Sequence, residues 1–119
     1  MLAINAEKLN DLAVVECKGR IVRSESVFKL RDYVQSQAPA KVIAVDLSAV
    51  DEIGGGGLGM LAFLQRWASE RGIRFKLFSP SRAVMKGLAQ TRSSLTFEIA
   101  SFHEMMGLLG EADRFSSAA

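Results

Sequence analysis

The sequence predicts an α/β fold: a four- to five-stranded mixed sheet, mostly parallel, with about four helices packed against it. Three observations carry this. Segments with a two-residue apolar period alternate with segments whose apolar residues recur at three and four. One strand-length run, Val42-Ile43-Ala44-Val45, is apolar throughout, as a strand covered on both faces requires. The chain also opens with two strand-like segments in succession, which supplies an antiparallel edge.

Taken in order, Ala3 to Glu7 reads as a weak strand, followed across the turn-like Asn10-Asp11 by a stronger one, Leu12 to Lys18. In the latter, Leu12, Val14 and Glu16 share one face and Ala13, Val15 and Cys17 the other; Gly19 ends it. Ser24 to Ala38 is helical, with Val27, Leu30 and Val34 on one stripe, Ser24 or Ser26 as cap and Pro39 as stop. Val42 to Leu47 is the central buried strand; Asp46 closes its apolar run and leads into a connection, Ser48 to Ile53. Four glycines then open a helix over 54–71. It carries Leu58, Leu61, Leu64 and Ala68 on one stripe and Met60, Phe63 and Trp67 on a second, which implies packing on a neighbouring helix or on another protein. Gly72 is placed to be its C′ residue.

Ile73 to Phe78 alternates, predicting a half-exposed strand with Arg74 and Lys76 outward. Ser79-Pro80 predicts the next helix start, with Val84 and Leu88 on its inner face and Met85 alongside. A polar stretch, Gln90 to Ser94, precedes a short strand at Thr96 to Ile99. Ser101-x-x-Glu104 is a capping box for a last helix that buries Phe102, Met105, Leu108 and Leu109 and ends at Gly110. The domain therefore spans 1–110, and 111–119 reads as a flexible C-terminal tail.

Composition narrows the function classes. Of 119 residues, 49% are apolar and 24% charged, enough apolar surface for a core without disulfide or metal. Cys17 is the single cysteine, in keeping with a reducing compartment. The 15 basic and 13 acidic residues are dispersed, so no stripe for a nucleic-acid backbone emerges. No apolar run nears the ~20 residues that cross a bilayer, and the first dozen residues are too polar for a signal peptide. The expectation is a cytoplasmic protein that neither binds nucleic acid nor inserts in a membrane.

Candidate chemistry is sparse. Gly54-Gly55-Gly56-Gly57-Leu58-Gly59 places a side-chain-free turn at a helix N-terminus, the setting that phosphate cradles use. No Lys-Ser or Lys-Thr follows, and where a dinucleotide fold would have its second acidic residue there is Phe78. A tight, close-packed turn is the simpler reading. Asp46, Asp51 and Glu52 gather near one connection, as acid–base pairs do, yet such residues before a helix are ordinarily solvated or capping. His103 and Cys17 are too few and too far apart for a metal site or a nucleophile pair. No cofactor, metal or catalytic residue is expected.

The stretch Val42 to Leu64, VIAVDLSAVDEIGGGGLGMLAFL, resembles the central signature of STAS domains, found in bacterial anti-sigma-factor antagonists. Asp46-Leu47-Ser48, the anchors Val50 and Ile53, and Gly57-Leu58-Gly59 match that pattern, and the later Gly72, strand and Pro80 helix fall in step. The resemblance implies a non-enzymatic interaction module for partner switching in transcription regulation, binding a regulatory protein such as an anti-sigma factor or a kinase. The partner surface it implies comprises Asp51, Glu52, Gly54, Gly55, Gly56, Gly57, Leu58 and Met60. The family has Asp-Ser-Ser or Asp-Ser-Thr where this chain has Gly54-Gly55-Gly56, so Gly55 and Gly56 stand at the phosphosite without a hydroxyl, leaving Ser48 as the nearest substitute acceptor. An accessory subunit of a membrane transport assembly and a nucleotide- or anion-binding sensor are the alternatives, and a homodimer is compatible with all three.

Overall fold

A computed structural model of the chain describes residues 1–90 and 97–117. In chain order its elements are β1 (Leu2–Leu9), β2 (Leu12–Ile21), α1 (Ser24–Gln35), β3 (Val42–Ile53), α2 (Gly55–Glu70), β4 (Arg74–Phe78), α3 (Arg82–Gln90), β5 (Glu98–Ala100) and α4 (Phe102–Ser117). The strands form one sheet in the order β1-β2-β3-β4-β5; β1 is antiparallel to β2 and the other neighbours are parallel. This is the expected mixed α/β architecture, with β3 at its centre.

The pleat divides the core in two. Val15, Cys17, Ile43, Val45, Leu47, Phe75 and Leu77 point to the face where α1, α2 and α3 lie, among Leu30, Leu61, Leu64, Ala68 and Val84. Their neighbours Val14, Ala44 and Phe78 point to the other face, where Met105 and Leu108 of α4 meet them. The second stripe of α2 is largely absorbed by neighbouring elements: Met60 and Trp67 pack into the larger cluster, while Phe63 stays 50% exposed.

Several elements differ from the sequence reading, each for a local reason. β2 does not stop at Gly19 but bulges there, with Gly19 at φ +117, and pairs onward to Ile21↔Ile53. The N-cap of α1 is Arg23, with no side-chain cap, so Ser24 and Ser26 lie inside the first turn. Ser79 does not cap α3 either; it takes φ +48, and Ser81 Oγ accepts the Val84 N–H at 3.3 Å instead. Lys76, expected outward, is 5% exposed because α4 covers its face of β4; its ammonium reaches Glu98 at 3.1 Å and Glu104 at 3.7 Å.

The capping box forms, with the Glu104 N–H donating to Ser101 Oγ at 3.1 Å and the Ser101 N–H to Glu104 Oε1 at 3.5 Å. Phe102, in the first turn before α4 reaches the sheet, is 73% exposed rather than buried. Gly110 does not end α4, which runs to Ser117; a helical glycine weakens a helix by up to ~1 kcal/mol without stopping it. Gly72, by contrast, does end α2: at φ +69 it donates to Ser69 O at 3.2 Å, and the Ile73 N–H reaches Ala68 O at 2.9 Å. The strand expected at Thr96 to Ile99 is found as β5; Thr96 and the residues Thr91 to Ser94 lie outside the described residues.

Candidate functional site

The segment Ser48 to Ile53, read as a connection, is the second half of β3. Pairing with β4 ends at Asp46↔Phe78, whereas pairing with β2 continues through Ala49, Val50, Glu52 and Ile53. Among the described residues, this half of β3 therefore has β2 as its one strand partner, and it carries the exposed Asp51 and Glu52 to the start of α2. Glu52 lies 3.7 Å from the Arg20 guanidinium, both well exposed. A sequence signal for the extension is hard to find, because it depends on β2 running on past Gly19.

Gly54 is the N-cap of α2, at φ −98 and ψ 179, with no side-chain cap. Its N–H donates to the Ile21 carbonyl at 3.0 Å, and its carbonyl accepts the Leu58 N–H at 3.0 Å. The four glycines are not equivalent. A Cβ on Gly55 would meet nothing within 4 Å, and one on Gly56 only Val27 Cγ2 at 3.8 Å; both residues are exposed. A Cβ on Gly57 would lie 2.7 Å from the Ile21 carbonyl oxygen and 2.8 Å from Ile53 Cγ1. The close-packed turn thus requires glycine at Gly57 alone. None of the four has a positive φ, so Gly54, Gly55 and Gly56 occupy backbone that other residues adopt.

Around this turn, Leu58 is half-buried against α3, where a Cβ on Gly87 would come within 3.2 Å of Leu58 Cδ1. Met60 is half-buried on the larger core cluster. Ser81 supports the arrangement from behind: its Oγ donates to the Val50 carbonyl at 2.6 Å and its N–H to Leu47 O at 3.2 Å. That fastens the start of α3 to the half of β3 that β4 leaves unpaired. Ile21 and Ser81 thus shape the site without belonging to the glycine run. The capping hydroxyl is that of Ser81, two residues beyond Ser79.

The other candidates do not converge. Asp46 accepts the Ser48 N–H at 2.9 Å and the Ser48 hydroxyl at 2.7 Å, so the nearest alternative hydroxyl is exposed but engaged. Five residues of extended chain, roughly 16 Å, separate Asp46 from Asp51, and Asp51 and Glu52 point to opposite sides of their strand. Cys17 faces α1 and α2 under the sheet, while His103 is exposed on α4 across it. Burial, then the nearby Asp46 charge, pushes the Cys17 thiol up to about 12 from an ordinary 9.0, which removes it as a nucleophile near neutral pH. Among the described residues no three His, Cys, Asp or Glu side chains gather as metal ligands. No helix among them is long and apolar enough to cross a membrane.

A family model, the STAS domain, matches residues 3–105. No curated protein matches. Among solved structures, a putative anti-sigma factor antagonist from Thermotoga maritima superposes with a TM-score of 0.75 at 20% identity, covering 90% of this chain and 94% of that one. An anti-sigma factor antagonist from Mycobacterium paratuberculosis gives 0.73 at 18% identity, over 95% of each chain. The anti-sigma factor antagonist SpoIIAA in its unphosphorylated form gives 0.72 at 16% identity, over 92% and 97%. A fourth likeness, to Mglu, has a TM-score of 0.59 at 20% identity; it takes in 66% of this chain, which spans only 20% of the length of Mglu. At these identities the likeness is one of fold.

Proposed function

The chain belongs to the STAS domain family, and from that premise we propose that it is a non-enzymatic interaction module of the anti-sigma-factor-antagonist kind. Its partner is a regulatory protein, an anti-sigma factor or a kinase-like protein, met in the cytoplasm. The surface is Asp51 and Glu52 at the end of β3, Gly54 to Gly57, and Leu58 and Met60 in the first turns of α2. The observation that carries the reading is the exposed first turn of α2. Gly55 and Gly56 present bare backbone with open space above it, so a partner can approach the helix end to van der Waals distance.

Regulation follows from the same atoms. Residues 54 to 57 hold no hydroxyl, so a phosphoryl group cannot be placed at the start of α2. Elsewhere such a group adds nearly two negative charges and changes partner affinity. The module therefore binds constitutively, or is controlled elsewhere in the cell.

Substitution of Gly56 by Glu tests this. The side chain fits, since only Val27 Cγ2 comes near a Cβ there, and it sets one negative charge on the proposed surface. Affinity capture from the source cell with parent and Gly56→Glu chains side by side should enrich a regulatory protein with the parent only. Calorimetry on that protein should then show at least a tenfold weaker affinity for the variant, about 1.4 kcal/mol. Equal affinity for both chains would place the interface elsewhere.

A further inference from the structure

The edge of the sheet opposite β5 offers an interface that the α2 surface does not involve. β1 is an edge strand of eight residues, and among the described residues no strand pairs with its outer side. The Arg20 N–H donates to the Met1 carbonyl at 3.1 Å, which fixes the parity of the ladder. Odd residues of β1 bond to β2, and the N–H and C=O groups of Leu2, Ile4, Ala6 and Lys8 point outward. Of these, the Leu2 carbonyl is already taken by Lys29 Nζ at 2.8 Å. Ile4, Ala6 and Lys8 remain as an open ladder.

We infer that this chain forms a two-fold homodimer by antiparallel pairing of β1 with β1 of a second copy, centred on Ala6. The register follows from the open groups. With Ala6 opposite its own copy, Ile4 falls opposite Lys8, and the three outward residues of each strand bond one another completely. A centre at Asn5 would need the occupied Leu2 carbonyl, and a centre at Ile4 would strand Lys8. The side chains agree with the Ala6 centre. On one face Ala6 meets Ala6, and the Lys8 stem lies along Ile4. On the other, Asn5 can donate to Glu7, and Ala3 covers Leu9, which is 37% exposed. No like charges face each other, and the two sheets join into one of ten strands.

Sedimentation equilibrium across the micromolar range tests the state, with two variants testing the register. The parent should show a concentration-dependent rise from monomer to dimer mass. Ala6→Pro removes an outward N–H that β2 does not use, a position where an edge strand tolerates proline. It should stay monomeric while its circular dichroism matches the parent. Asn5→Lys should tighten the dimer at least threefold, because each Lys then faces Glu7 of the other copy; under a centre at Asn5 it would set Lys against Lys and weaken it. A parent that is monomeric throughout, a dimer indifferent to Ala6→Pro, or one weakened by Asn5→Lys would each overturn the inference.

Discussion

Gly55 and Gly57 lie two positions apart in one turn of helix, yet the same substitution should act on them with opposite sign. Gly57→Ala drives a methyl to 2.7 Å from the Ile21 carbonyl; overpacking of this kind costs about 1–3 kcal/mol. Gly55→Ala adds a methyl in open space and should gain up to ~1 kcal/mol from helix propensity and a less disordered unfolded chain. Urea midpoints of the two variants, bracketing the parent, check both. Cys17 makes a prediction in pH. Its thiol holds its proton more tightly folded, to about 12, than unfolded, at 9.0. Its contribution is therefore full below pH 9 and falls as pH rises toward 12, by up to about 1.4 kcal/mol per unit. Stability measured between pH 8 and 10.5 should fall more steeply for the parent than for Cys17→Val; equal slopes would count against a buried thiol. The inward turn of Cys17 was legible in the alternation of β2. The demand for glycine at Gly57 was not, because it arises from Ile21, on a strand that Gly19 made look finished.

At the scale of elements, the start of α2 lacks what helix ends ordinarily have: no side-chain cap and no acidic residue in the first turn. The triple change Gly54→Asp, Gly55→Ser and Gly56→Ser adds an acceptor at the N-cap and a negative charge at the positive helix end. Extended φ at Gly54 and open space at Gly55 and Gly56 accommodate it. The expected gain is about 1 kcal/mol, read as a higher urea midpoint at unchanged m-value; a lower midpoint would show that this turn needs its glycines. β3 shows where sequence reading reaches its limit. Its first half, buried on both faces, announced itself as an apolar run. Its second half alternates only in part and is shifted in register against β2, so its residues resemble a loop. The glycine run did mark the strand-to-helix junction between β3 and α2. The hold of Ser81 on Val50, 31 positions away, and on the still more distant Leu47 leaves no local pattern.

Across the whole molecule the two faces of the sheet are unequal. Among the described residues, three helices cover one, and α4 alone covers part of the other, over Val14, Ala44 and Phe78. The alternation of β4 predicts Lys76 at the surface, but a parallel sheet is covered on both sides and α4 closes over it. Its neighbours Glu98 and Glu104 are half-exposed, so water can take over their solvation. Lys76→Ala should cost about 2 kcal/mol, much of it from the lost aliphatic stem, and Lys76→Met should recover most of that. Thermal melts of both variants decide the point, and equal losses would mean that the charge dominates. The thin cover on that face also governs how the native state breathes. In hydrogen exchange, the amides of α4 should open at a free energy well below that of β2, β3 and α1, and with weaker denaturant dependence. The sheet then spends part of its time with Ala44 and Phe78 wet while the opposite core stays closed, two lifetimes within one fold.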